Sequence, residues 1–175
     1  MCIRDRQWGG GWLAEIGFSD FAGSTLVHST GGAAALAGII LLGARNGRFD
    51  SAGNPKALKP FAASSIPLVT IGVFILWLGW FGFNGGSQLA LGTFDDAVAI
   101  STIFINTNLA ACGGVLAAGV ITRLMYGKTD VIQMLNGAIG GLVAITAEPL
   151  APSPFAAILI GAIGGLIDVF GTKLL

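Results

Sequence analysis

Asp20, Ser24 and His28 recur at four-residue steps at the head of a long apolar run. On a helix that spacing stacks a carboxylate, a hydroxyl and an imidazole along one face. A hydrolytic enzyme would use the hydroxyl as nucleophile, the imidazole as base and the carboxylate as its orienter, with an oxyanion site beside them. Nothing else in the chain supplies that last part. A second reading needs only the imidazole. His28 is the sole histidine, and an ionisable group inside a spanning segment is costly, so it marks a functional site. Asp20 has a plainer reading beside a functional one: it precedes an apolar helix and can cap it by accepting from free backbone N–H groups. Both stay open for Asp20.

Two aromatic clusters could meet a cation. Trp8-Gly9-Gly10-Gly11-Trp12 puts glycines between tryptophans, which reads first as irregular backbone anchored at a membrane interface and second as an aromatic face for a cation. Gly79-Trp80-Phe81-Gly82-Phe83-Asn84-Gly85-Gly86-Ser87 brings aromatics and a hydroxyl to one helix end. There an aromatic belt and a cation funnel, with Phe83 giving a π face and Ser87 a hydrogen bond, stand level. Asn106-Thr107-Asn108 sits mid-segment and reads as packing across helices. Asp168, charged within the last apolar run, has no assigned role.

The elements that must carry these groups can be placed from composition. The chain of 175 residues is 54% hydrophobic and 10% charged, against about 25% charged in a soluble domain. Mean hydropathy is +0.81. The apolar runs are too long and unbroken for the alternation of a membrane barrel, so the fold class is an all-α membrane protein. Five transmembrane helices are expected near 20–43, 62–84, 97–122, 131–148 and 155–173. Gly137–Leu142 and Gly161–Leu166 repeat the same six residues, and both hold the small-xxx-small pattern of close helix contact.

Loop charge orients the helices. The loop with Arg45, Arg48, Lys56 and Lys59, the loop with Arg123 and Lys128, and the end at Lys173 are basic. The loops 85–96 and 148–154 hold no Lys or Arg. The first segment is therefore expected to start outside and the last to end in the cytoplasm, in the plasma or inner membrane. The turn-rich loop from Asn46 to Pro60 is expected to move. Residues 1–6 are charged, unlike the apolar chain after them, and too short and polar for a signal peptide; they read as a non-native leader ahead of a partial domain over 7–175. Zero net charge gives no case for nucleic acid. No Cys or His set stands at metal-ligand spacing, and no cofactor is expected. Cys112 reads as a small packing residue.

Three blocks taken in order, Trp8–Gly11, Asp20–His28 and Gly79–Ser87, resemble the ammonium transporter family (Amt/Mep/Rh). Trp8 and Ser87 point to its Amt branch. The resemblance covers residues 7–175 and implies an eleven-helix fold, assembled as a homotrimer with one pore per subunit. This chain is similar to the fifth to ninth of those helices. By motif, Trp8, Phe83 and Ser87 resemble an outer site that recruits ammonium. Phe83 also resembles one of two phenylalanines closing the pore, and His28 the first of twin pore histidines. Asp20 resembles an aspartate that orders the pore mouth without touching substrate.

The implied function is ammonium or ammonia transport through the lipid bilayer, not enzymology. An aromatic cage with a hydroxyl holds a partly dehydrated cation. A dry pore beyond favours splitting of the ion into ammonia and a proton, and neutral imidazole then accepts from or donates to ammonia, with or without relaying the proton. The second histidine and the partner phenylalanine belong to helices outside this chain, so the segment alone is not expected to conduct. The alternative is an ammonium sensor with an Amt-like membrane domain. A purely structural membrane subunit would tolerate loss of Trp8, Phe83 and His28. The family also implies a PII-type regulator on the cytoplasmic face, for which the loop from Arg45 to Lys59 is a plausible contact.

Overall fold

The computed structural model describes residues 3–49 and 63–174, and most of them are helical. Two short helices lead, α1 (Ile3–Gln7) and α2 (Trp12–Glu15). A π-helix, Ser24–Ser29, then runs without a break into α3 (Thr30–Leu42). Beyond it come four more helices: α4 (Ile66–Gly86), α5 (Phe94–Tyr126), α6 (Val131–Ile145) and α7 (Pro154–Leu174). Lys56, Lys59 and most of the turn-rich loop lie outside the described residues, as do Met1, Cys2 and Leu175.

Local chemistry sets the boundaries. Ser65 caps α4, accepting from the Leu68 N–H at 3.4 Å, with Pro67 in the first turn, where its missing N–H costs nothing. α5 begins earlier than residue 97 because Thr93 and Asp96 form a reciprocal capping box. The Asp96 N–H donates to Thr93 Oγ1 at 3.1 Å, and the Thr93 N–H donates to Asp96 Oδ2 at 3.0 Å. Asp95 and Asp96 thus belong to the first turn of α5, not to the preceding loop. α5 closes on Gly127 in the left-handed region, φ 73°.

Four helical stretches among the described residues are long and apolar enough to cross a membrane: Ser24–Leu42, Ile66–Gly86, Phe94–Tyr126 and Pro154–Leu174. The segment expected over 131–148 is helical only over its 15 residues Val131–Ile145, a rise of about 22 Å. Pro149 disfavours helix at Glu148. The carbonyls of Thr146 and Ala147, just past the helix end, instead accept from the N–H groups of Ala22 and Phe21, and the Val143 carbonyl accepts from Ser24 Oγ as well as from the Thr146 N–H.

α5, α6 and α7 form the packed centre, and its contacts are made by glycine and alanine. A Cβ on Gly161 would fall on the carbonyl oxygen of Ala110, and one on Gly114 on the carbonyl of Gly137. The two copies of the repeated hexapeptide face each other, Gly140 against Gly164. Lipid tails are as apolar as leucine, so close backbone approach supplies the dispersion contacts that hydrophobic exclusion cannot. α4 packs on this centre through Trp80 and Asn84. α3 has no buried residue of its own.

Candidate functional site

The site is built where the segment before α3 meets the last turns of α4 and the end of α6. Asp20 is 2% exposed. Its Oδ1 accepts from the N–H groups of Gly23 (3.0 Å) and Ser24 (2.9 Å), and its Oδ2 from those of Thr25 and Leu26 (both 2.9 Å). One carboxylate therefore satisfies the orphan donors of a helix N-terminus, where the positive end of the dipole also favours it. Asp20 stands outside the helix as its cap, and does not share a face with His28. Gly23 between them has φ 109°, and a Cβ there would lie 2.7 Å from Val27 Cγ2 and 3.2 Å from Trp8 Cη2. Only glycine meets both demands.

The wide π winding then carries His28, whose backbone N–H donates to the Gly23 carbonyl five residues back at 3.0 Å. Its ring stacks on Trp80 with centroids 5.0 Å apart and planes 8° apart, and Phe83 leans over it at 5.4 Å and 54°. His28 Nδ1 is buried with no hydrogen-bond partner. His28, Ile75, Leu76, Gly79, Trp80 and Phe83 line a cleft of about 230 Å³.

Trp8 rests on Gly23, and its Nε1–H donates to the Asp20 carbonyl at 2.8 Å, leaving the residue 44% exposed. Phe83 is 39% exposed. Ser87, one turn on, donates its hydroxyl hydrogen to the Phe83 carbonyl at 2.8 Å, which leaves the oxygen free to accept. The structure thus brings His28 and Phe83 into contact, ties Trp8 to Asp20, and sets Ser87 on the turn above Phe83.

The hydrolytic arrangement is not made. Ser24 donates to the Val143 carbonyl at 2.9 Å rather than to His28, and the Asp20 carboxylate is taken up by backbone N–H groups. Among the described residues no group of His, Cys, Asp or Glu could hold a metal ion.

Trp80 and Thr146 are the site residues that spacing does not reveal. Trp80 is buried, and its Nε1–H donates to Thr146 Oγ1 at 2.8 Å; that hydroxyl in turn donates to the Leu142 carbonyl at 2.6 Å. The signal for Trp80 is its place one turn before Phe83 on the same helix; nothing local marks Thr146. Of the central polar trio, Thr107 accepts from Asn84 Nδ2 at 3.0 Å, and Asn106 Nδ2 donates to the carbonyls of Pro149 and Pro152 at 2.9 and 2.8 Å. Two of the three therefore tie helices and loops together, and Asn108 is exposed.

Long apolar helices joined by close glycine contacts, with a histidine held between aromatic rings at one end, define a polytopic membrane protein with a polar site inside its bundle. A sequence model of the Ammonium Transporter Family matches residues 3–175. The chain is 45% identical over 174 residues to ammonium transporter Amt2 of Archaeoglobus fulgidus, an alignment covering 94% of this chain and 36% of that protein. Among solved structures, a sensor Amt protein superposes with a TM-score of 0.81 at 37% identity, over 92% of this chain and 38% of that one. Mep2 of Candida albicans does so with a TM-score of 0.80 at 32% identity, over 95% and 35%. The chain belongs to the ammonium transporter family and has the all-helical, multi-pass membrane fold of that family, of which it spans little more than a third of each relative's length.

Proposed function

We propose that this chain is the part of an ammonium transporter that receives the ion at the outer face and passes ammonia into the pore. The observation that carries the reading is His28 stacked on Trp80 under Phe83, its Nδ1 unpartnered, beside an otherwise apolar cleft. Ammonium is all donor, so the free lone pairs of Ser87 and the π faces of Trp8 and Phe83 suit it. The cleft offers a cation little to replace its water, and the uncharged ammonia enters more readily. The imidazole is the one group there able both to accept and to donate. Potassium has no proton to leave behind, and that is the basis of selectivity. Asp20 supports the mouth through the backbone it caps.

In the full-length protein, His28→Ala is expected to abolish or alter ammonium uptake into proteoliposomes while assembly stays intact. Unchanged, ammonium-selective flux would remove His28 from the pathway. Charge movement recorded per ammonia transported separates free ammonia from ammonia with a relayed proton. The likeness to a sensor Amt protein supports a second reading, in which the same site reports ammonium to a signalling domain. An ammonium-dependent signalling output with negligible flux would favour it.

The remaining expectations belong to the whole protein. It is a homotrimer in the plasma or inner membrane, with the N-terminal end of this segment outside and its C-terminal end in the cytoplasm. A PII-type regulator docks on the cytoplasmic face near the loop from Arg45 to Lys59. The basic residues Arg45, Arg48, Arg123, Lys128 and Lys173 support that orientation.

A further inference from the structure

The last turn of α6 does more than end a helix. The final carbonyls of any helix lack partners within it. Here the turn that closes α6 offers carbonyls to the segment that leads to His28. Phe21 N–H donates to the Ala147 carbonyl at 2.7 Å, Ala22 N–H to the Thr146 carbonyl at 3.2 Å, and Ser24 Oγ to the Val143 carbonyl at 2.9 Å. The same turn holds the ring on which His28 stacks, through Thr146 Oγ1 and Trp80 Nε1. Thr146 is wholly buried and is the residue that grips both: its backbone holds the His28 segment and its side chain holds Trp80. Its hydroxyl works in both directions, accepting from Trp80 and donating to Leu142.

We propose that Thr146 is a positioning residue, which sets the plane of the His28 imidazole by fixing the Trp80 indole beneath it. The inference rests on the reading of His28 as a pore residue. Its physical basis is separate. A stacked pair 8° from parallel holds its angle only while one ring is fixed. Stacking resists tilt but not rotation of both rings together. The indole N–H bond supplies the missing constraint, and a buried N–H that loses its acceptor drives the ring to turn in search of another. The imidazole would then move with its platform, and the buried Nδ1 would no longer face the same surroundings.

Thr146→Val keeps the shape of the side chain and removes the hydroxyl, leaving the backbone bond to Ala22 in place. Thr146→Ser keeps the hydroxyl. Both are made in the full-length protein, with ¹⁵N-labelled histidine, reconstituted in lipid. The His28 signals are assigned by their absence from His28→Ala. Thr146→Val is expected to shift the His28 imidazole resonances and lower ammonium flux about tenfold, and Thr146→Ser to restore both. Trp80→Phe keeps a ring but has no N–H to donate. It should reproduce the Val variant, and the double variant should add nothing further; it also carries the test should the Val variant not fold. Unmoved His28 resonances in Thr146→Val or Trp80→Phe overturn the proposal, whatever the flux does. Resonances that move while flux stays at its original level leave the positioning intact and refute instead the place of His28 in the pathway.

Discussion

Asp20→Asn is nearly isosteric and removes one acceptor oxygen, so it isolates what the carboxylate does for the turn that presents His28. Both oxygens of Asp20 are used, each accepting two backbone N–H groups at 2.9–3.0 Å. Asparagine offers one oxygen and an NH₂ group, which cannot accept. Either Gly23 and Ser24 or Thr25 and Leu26 then lose their partner, and a donor points at donors. Hydrogen bonds to a charged group are worth about 1.5–3 kcal/mol each, so losing two costs about 3–6 kcal/mol. Local opening of the turn should become easier by that amount. Amide hydrogen exchange at Gly23–Leu26, measured in the full-length protein in detergent, is expected to speed up by about two to four orders of magnitude, while amides in the middle of α5 do not change. Asp20→Glu should fall between, since its longer arm cannot seat both oxygens over the same four groups. Exchange within about threefold of the parent protein would show that the carboxylate is not what holds this turn, and the cap reading would fail.

Three further outcomes are expected. Gly161→Ala places a methyl on the Ala110 carbonyl and should cost about 3 kcal/mol or more, seen as loss of a monodisperse peak in size-exclusion chromatography; Gly31→Ala, where nothing lies within 4 Å, should leave the peak unchanged. Asn106→Leu removes two bonds to buried loop carbonyls and should destabilise by about 2–4 kcal/mol, read as a lower melting midpoint, and an unchanged midpoint would show that loop 148–154 is held by other contacts. Ser87→Ala removes a hydroxyl whose own bond is local to its helix, so the melting midpoint should barely move while the half-saturating ammonium concentration rises; the reverse pattern would make Ser87 a packing residue.

The helices are legible in the sequence because the signals that make them are local. Hydropathy marks every long element, and the small-xxx-small repeats mark the α5–α6–α7 contacts, since only glycine leaves room for backbones that close. Pattern and structure part where a side chain outweighs the pattern. Thr93 and Asp96 extend α5 by a reciprocal cap, although two adjacent aspartates read as loop. Past Ile145 the carbonyls of Thr146 and Ala147 pair with a chain segment more than a hundred residues earlier instead of continuing the helix. The Asp20–His28 interval reads at α-helical pitch, whereas a cap leading into a π winding separates the two functions of those residues.

The sequence by itself determined a helical membrane protein, the cluster of aromatics at the end of α4, the cap potential of Asp20 and the singular histidine. These depend on residue type and short-range spacing, which the backbone period converts directly into faces and ends. Tertiary structure alone decided that the His28 ring lies flat on Trp80, that Ser24 is bonded away from the imidazole, and that Thr146 ties the two arms together. Those contacts join residues 52, 119 and 66 positions apart. No local periodicity encodes such pairs; they exist because glycine-faced helices approach closely enough for buried donors and acceptors to find each other away from water.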